Sequence, residues 1–446
     1  MYEIGPKHPL TYRQEVVAPL FDLIKARESC AIVGSSGMGK SRLLHFTMQP
    51  VVQQHYLADQ AEDTLFVLVD ANRLAEVSEW GLYELLLTTL AEAVGQHARA
   101  RFLRDSLGDM HREVVLKQNA LLARRYVERA IFMLCQEQGL TLTLILDEFD
   151  ETYQTAPTLA LANLRALRDA NKYQLCYVLL LREHPNRLRP FEECESFYEL
   201  FSRAMMGLGP YAADDARRVL EQQQARKNQL VSPEASAELL RLSGGHPGLI
   251  VALYDAVSEG EPPYSQTWEA WALDQPTVVE EFQKLWGSLS HDEQLALGYI
   301  VQNIETAPEV RQVLQLKGLV RLQDDNFCLF SPIFVEFVRA KNPQANEQLR
   351  VDRSAYQIWI GNNQIALRGR QYELVAFLYE HLGNVRSRDQ ILDHLNPGEY
   401  HHTSAAVDSL VRQVRKKLEP APDRPCYLIT VPTQGYKLVA IPETED

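Results

Sequence analysis

At 446 residues, with 46% hydrophobic and 23% charged residues, the chain has the composition of a folded protein of two to four domains, which excludes a disordered chain or a disulfide scaffold. The formal net charge of −14 excludes a basic surface over the whole chain, yet from Arg350 onward acids and bases balance, so the acidic excess lies entirely upstream and a C-terminal module is free to carry a basic face. No apolar run approaches the roughly 20 residues of a membrane span, the N-terminus has no signal-peptide pattern, and six cysteines are scattered without Cys-x-x-Cys spacing; the expectation is a cytoplasmic protein with buried free thiols and no membrane partner.

In chain order, the segment from His8 to Glu15 precedes a helix, Val17 to Ala26, that leads into an apolar run, Cys30-Ala31-Ile32-Val33. There follows Gly34-Ser35-Ser36-Gly37-Met38-Gly39-Lys40-Ser41, then a helix-forming stretch opened by Arg42. A buried strand, a glycine-rich turn and a helix N-terminus form a phosphate-binding loop, because the glycines let backbone N–H groups converge on phosphate oxygens at the positive end of the helix. Lys40 adds a point charge to the β- and γ-phosphates, and the Ser41 hydroxyl is placed to ligate Mg²⁺. Gly34 through Arg42 are therefore the expected nucleotide-binding residues.

The run Thr64 to Asp70 reads as a second parallel strand, and a long helical stretch follows from Trp80 to about Glu137. Leu142-Thr143-Leu144-Ile145-Leu146 then ends in Asp147-Glu148. Asp147 is expected to hold Mg²⁺ through water, and Glu148 to polarise the attacking water as general base; Asp150 and Glu151 are read as helix caps without a catalytic role. A further strand, Leu175 to Leu181, ends at Arg182, which from position alone is either a solvated arginine or a contact to the γ-phosphate. Asn171-Lys172-Tyr173-Gln174 lacks the acid of a guanine reader, so ATP/ADP is expected rather than GTP. Past Gly207-Leu208-Gly209-Pro210 the chain turns helical, and Ser243-Gly244-Gly245-His246-Pro247-Gly248 makes a sharp turn into another helix, as a lid over the nucleotide would.

The ordered set of Gly-Ser-Ser-Gly-Met-Gly-Lys-Ser, Leu-Ile-Leu-Asp-Glu-Phe-Asp, a strand ending in Leu-Leu-Leu-Arg182 and Gly-Gly-His-Pro-Gly-Leu resembles the STAND-type, AAA+-related P-loop ATPases over about residues 8–340. The resemblance implies that Arg182 senses the γ-phosphate, making Lys40, Glu148 and Arg182 the catalytic group, and that His246 and Pro247 bring the lid onto the nucleotide. It also fits residues 288–340 as helices, a hairpin and a closing helix, a small winged helix. Family members often carry Met-His-Asp there to clamp ADP; this chain has Phe330-Ser331-Pro332.

A polar break at Asn342 to Asn346 marks a linker. Beyond it come a hairpin around Gly361-Asn362-Asn363, helices at 370–382, 388–395 and 404–418, and two strands enclosing Pro432-Thr433-Gln434-Gly435. This order, with Asn384 to Leu392, Val407 to Glu419 and Thr430 to Leu438, resembles the OmpR-type winged-helix DNA-binding domain of response regulators over about 95 residues. The third helix is half apolar and half basic, so one side packs while the other lies against the major groove of double-stranded DNA. His402, Thr403, Ser404, Ser409 and Arg412 are expected at the groove, with Arg415, Lys416, Lys417 and the wing residue Lys437 toward phosphates, for about four or five phosphate contacts. Arg415 is equally readable as a structural residue. The family's usual Arg-Thr pair before the recognition helix is Ala405-Ala406 here, and Pro432 stands where the wing often carries arginine, which leaves protein docking as the alternative role.

The expected fold class is α/β: a P-loop NTPase with a parallel-sheet ASCE core (1–206), a helical lid (207–285) and a winged helix (286–342), then a linker (343–352) and an OmpR-type winged helix (353–446). The expected function is an ATP-controlled, slowly hydrolysing switch that binds DNA as a transcription regulator and assembles with itself on ATP binding. Two alternatives stand beside it: a signalling or defence ATPase whose winged helices bind an unknown protein partner, and an initiator- or transposition-type ATPase acting on DNA.

Overall fold

The structure, a computed structural model, describes residues 8–323, 326–341, 349–353, 355–361, 363–395, 404–419, 422 and 425–440. Four apolar strands, β1 (Cys30–Val33), β2 (Thr64–Asp70), β3 (Thr141–Asp147) and β4 (Leu175–Leu181), pair in parallel with a short fifth, β5 (Met205–Gly207). Their order is β2-β3-β4-β1-β5, so β4 lies between the strand that opens the phosphate loop and the strand that ends in Asp147. All of β1 and β4 and all but the last residue of β3 are buried, as expected of a parallel sheet covered on both faces. β5 adds a strand that the sequence reading lacks: Met205-Met206-Gly207 is three residues long and has no β-branched side chain, and it becomes a strand by pairing with Ala31–Val33.

The helical stretch after β2 contains three α-helices, Glu79–Gln96, Arg104–Lys117 and Ala120–Phe132, the last continued by a π-helical turn, Met133–Glu137. The break between the last two is local: Gln118 takes the left-handed conformation at φ 46°, and Asn119 caps the next helix by accepting the Leu122 N–H at 2.9 Å. The first of these helices packs Leu82, Leu86 and Leu90 into one core with Val67, Leu144 and Tyr177 of the sheet. After β5 come the lid helices Ala213–Lys227, Pro233–Ser243, Pro247–Glu259, Trp268–Leu273 and Pro276–Gly287. Cys30, Cys135, Cys176 and Cys194 are buried free thiols, as composition led us to expect.

The chain divides into two compact units, Met1–Ser290 with Pro308–Phe334, and His291–Ala307 with Val335–Asp446. The elements expected at 286–342 are present: helices His291–Val301 and Pro308–Leu316, strands β6 (Val320–Gln323) and β7 (Asn326–Leu329), and helix Pro332–Lys341. Of these, His291–Val301 counts with the second unit, while the hairpin counts with the first. Within the first unit the fully buried Lys317 is ion-paired with Glu183 at 2.8 Å, and the Ser331 hydroxyl donates to the Leu242 carbonyl at 2.6 Å.

In the second unit, β8 (Leu349–Asp352), β9 (Gln357–Ile360) and β10 (Asn363–Ile365) form an antiparallel sheet; β8 occupies the last four residues of the segment expected as a linker. Helices Arg370–Tyr379, Arg388–Leu395 and Ser404–Leu418 follow, then the hairpin β11 (Leu428–Val431) and β12 (Gly435–Leu438). Leu374, Leu378, Ile391, Val407, Val411, Val414 and Leu418 form the core with Leu428 and Leu438, the apolar half of the third helix facing inward. Gly435 is required: at φ 141° its backbone passes the Arg386 carbonyl, and a Cβ there would sit 2.0 Å from that oxygen. Among the described residues no helix is long and apolar enough to cross a membrane.

Candidate functional site

β1 hands over to the phosphate loop at Gly34, whose N–H donates to the Leu181 carbonyl at 3.0 Å. The loop then curls through Gly37 (φ 83°) and Gly39 (φ 86°), conformations that side chains resist, and Lys40 opens the helix Lys40–Thr47. Lys40 is almost buried, and its Nζ reaches back to the carbonyls of Gly34 at 2.5 Å and Ser35 at 3.3 Å. Burial pushes its pKa down to about 8, against the pull of Glu148. Ser36, Gly37, Gly39, Lys40, Ser41 and Arg42 line a cavity of about 610 Å³ together with Glu148 and Arg182. Its opposite wall comes from the lid, including Pro247, Gly248 and Asp255. Of the expected site residues, Gly34, Ser35, Met38, Asp147 and His246 do not line this cavity; Ser35, Met38 and His246 are buried.

The two acidic strand ends, those of β2 and β3, converge because these strands are neighbours. Asp147 stands in register with Asp70, and burial, then the charges of Glu148 and Asp70, raise its pKa. Glu148 has a left-handed backbone, φ 51°, and its carboxylate is ion-paired with Arg182. Asp150 differs from its expected role. Rather than capping the helix Asp150–Thr155, its carboxylate accepts the backbone N–H of Arg182 at 2.9 and 3.1 Å and that of Glu183 at 3.1 Å.

His246 caps the lid helix Pro247–Glu259 by accepting the Leu249 N–H on Nδ1 at 3.2 Å. A ring nitrogen that accepts is unprotonated, so the proton of the neutral ring lies on Nε2. Burial, helped by Arg13, depresses the pKa of His246 to about 4 and keeps the ring neutral. The ring lies against the phosphate loop, with Cε1 3.2 Å and Nε2 3.5 Å from where a Cβ on Gly37 would be. The sequence reading missed Arg13. It is fully buried, donates from Nη2 to the Met38 carbonyl at 2.7 Å and from Nη1 to the Gly209 carbonyl at 2.8 Å, and lies 4.1 Å from the centre of the Tyr211 ring. Its own N–H donates to Asp215 at 2.8 Å. One side chain thus ties the loop to the start of the lid. No local pattern marks Arg13 over Gln14 or Glu15, because most of its partners lie about 200 residues away.

This donor set fits a nucleotide. Its cavity-lining donors are Ser36, Lys40, Ser41, Arg42 and Arg182; among the described residues His246 Nε2, Ser35 Oγ and Arg13 Nε are also buried without a hydrogen-bond partner, but these three residues lie behind the cavity lining. A divalent cation also fits, since Ser41 and Glu148 line the same cavity and Asp147 and Asp70, outside its lining, add like charge next to Glu148. No cage of three or more His, Cys, Asp or Glu exists among the described residues, and a Mg²⁺ held largely by phosphates needs none.

On the C-terminal helix the basic residues separate. Arg415 is turned inward: its Nε and Nη2 donate to the Leu428 carbonyl at 2.9 and 2.6 Å, and Nη2 to Thr430 Oγ1 at 2.8 Å. Lys417 donates to the Ala366 carbonyl at 3.1 Å and to Gln371 at 2.9 Å. Ser409, Arg412, Lys416 and, despite those bonds, Lys417 are exposed, and Lys437 is half-buried on β12. His402 and Thr403 lie outside the described residues, as does the side chain of Ser404, whose backbone opens the helix.

Comparison with known proteins adds two family matches. Residues 10–296 match the family described as Novel STAND NTPase 1, and residues 362–438 match Transcriptional regulatory protein, C terminal. The chain is similar to the sensory transduction protein RegX3 of Mycobacterium tuberculosis, 29% identical over 90 residues, which cover 20% of this chain and 40% of that protein. It is also similar to the Klebsiella pneumoniae RstA DNA-binding domain in complex with RstA box (27% identity, 21% of this chain and 92% of that one, TM-score 0.20). A third similarity is to the Walker-type ATPase PABY2304 of Pyrococcus abyssi (16% identity, 75% and 99%, TM-score 0.46). The chain spans about 40% of the length of the RegX3 relative it matches.

Proposed function

The chain belongs to the Novel STAND NTPase 1 family, and from that premise we propose that it is an ATP-dependent switch whose nucleotide state governs DNA binding by its C-terminal winged helix, in the role of a cytoplasmic transcription regulator. The observation that carries the reading is the meeting of Lys40, Glu148 and Arg182 in one cavity closed on its far side by the lid. Lys40 exchanges its loop carbonyls for the β- and γ-phosphate oxygens. Arg182 leaves Glu148 for the γ-phosphate, which frees the Glu148 carboxylate to take a proton from the attacking water. Ser41 and Asp147 would hold Mg²⁺, whose chemistry is to offset phosphate charge. His246 caps the helix that brings Pro247 and Gly248 to the cavity, so that bound nucleotide and lid position are coupled. Hydrolysis is slow and resets the switch.

The test is a mobility-shift assay on full-length protein with and without ATP, alongside Lys40→Ala and Glu148→Gln. The expected result is DNA binding that changes with ATP, is insensitive to ATP in Lys40→Ala, and is held in the ATP form by Glu148→Gln, which binds ATP but does not turn it over. Absence of DNA binding at low salt in every state would sink the proposal. A second reading, nucleotide-driven self-assembly with the winged helix docking a protein, is favoured by the inward use of Arg415. It predicts ATP-dependent assembly on size exclusion that is indifferent to DNA.

A further inference from the structure

The ladder of β4 ends at Leu181, whose carbonyl accepts from Gly34. The next two backbone donors, the N–H groups of Arg182 and Glu183, lie beyond the strand and would each need a partner. Asp150 supplies both, its carboxylate accepting at 2.9 to 3.1 Å. That carboxylate is itself well anchored. Phe149 beside it is fully buried, and the Phe149 carbonyl accepts the Tyr153 N–H at 2.8 Å in the first turn of the helix. The Arg182 side chain, by contrast, is 53% exposed and is directed by little besides its own backbone and the Glu148 carboxylate. A flexible arginine reaches a defined point only if its Cα is fixed, because each unfixed torsion spreads the guanidinium over several positions.

We propose that Asp150 is the positioning residue for Arg182: by clamping the backbone at the exit of β4, it aims the guanidinium into the phosphate cavity and so sets discrimination between ATP and ADP. This rests on Arg182 contacting the γ-phosphate. Asp150 is not among the residues that line the cavity; it acts through the strand end.

The experiment titrates full-length protein with fluorescent mant-ADP and a non-hydrolysable mant-ATP analogue, with melting temperature as the folding control. Arg182→Ala is expected to lower the ATP-to-ADP affinity ratio about tenfold, the scale of one lost charge-assisted contact. Asp150→Ala is expected to lower it by a similar factor with mant-ADP affinity unchanged, and the double variant to be no worse than Arg182→Ala alone. Asp150→Asn keeps an oxygen that accepts both N–H groups and is expected to stay within about twofold of the parent ratio. Should Asp150→Ala not fold, Asp150→Glu takes its place, since one added methylene displaces the carboxylate and is expected to lower the ratio. An unchanged ratio in Asp150→Ala beside a lost one in Arg182→Ala overturns the proposal, as does equal weakening of both nucleotides or additivity in the double variant. An unchanged ratio in Arg182→Ala removes the γ-phosphate role of that arginine and the proposal with it. Failure of the parent protein to bind mant-ADP instead removes the nucleotide-switch reading.

Discussion

His246 is a residue whose protonation the fold opposes. Its pKa falls from the ordinary 6.5 to about 4 because the ring is fully buried and Arg13 is near. The unfolded chain therefore binds a proton near pH 6.5 that the folded protein takes up only near pH 4, so stability contributed by the neutral ring is complete above pH 6.5 and is lost as pH falls through that window. The loss is on the order of 3 kcal/mol by the 1.36 kcal/mol per unit conversion. Thermal melts between pH 7 and 4.5 should show an acid-side drop in the parent protein that is shallower in His246→Gln. Equal drops in the two proteins would place the titrating group elsewhere.

The recognition helix Ser404–Leu418 carries fewer outward charges than its sequence suggests. Four basic residues lie between Arg412 and Lys417, but Arg415 is bound to β11 and Lys417 to the Ala366 carbonyl and Gln371. Each neutralised phosphate contributes about 0.9 to the salt slope of DNA binding. Arg412→Ala and Lys416→Ala should each reduce that slope by about 0.9, and Lys417→Ala, whose exposed ammonium is engaged by Ala366 and Gln371, should leave it near the parent value; a Lys417→Ala loss as large as the other two would show that those bonds do not hold it away from phosphate. The end of the same helix is closed by Glu419. This buried carboxylate accepts the N–H groups of Cys426 at 2.8 Å, Tyr427 at 3.1 Å and Leu428 at 2.7 Å. Glu419→Ala leaves three donors without this acceptor, and we expect about 1–3 kcal/mol of local destabilisation. Faster hydrogen exchange at residues 425–431, with little change in the ATPase sheet, would register it.

Across the whole molecule, the features legible in sequence were those written in contiguous residues. β1 to β4 announce themselves as unbroken apolar runs, and the phosphate loop is a single segment of fixed spacing. The C-terminal winged helix was legible through its resemblance to the OmpR-type domain, carried by the contiguous stretches Asn384 to Leu392, Val407 to Glu419 and Thr430 to Leu438. What stayed hidden was set by contacts distant in sequence. Arg13 turns inward because Gly209, Tyr211 and Asp215 arrive to meet it, and Asp150 faces the end of β4 because two strands are neighbours in space. Arg415 looks like a phosphate contact until β11 offers it a carbonyl. β5 has too little side-chain character to declare itself without its partner strand. The left-handed backbone at Glu148 carries a consequence of another kind. A non-glycine residue there costs about 1 kcal/mol or more, and the exposed ion pair with Arg182 returns little of it. Glu148→Gly should therefore melt higher than Glu148→Ala while both lack turnover. On the role proposed for Glu148, the hardier of these two variants would also be unable to reset, which makes Glu148→Gly the better choice for trapping the proposed ATP-bound form.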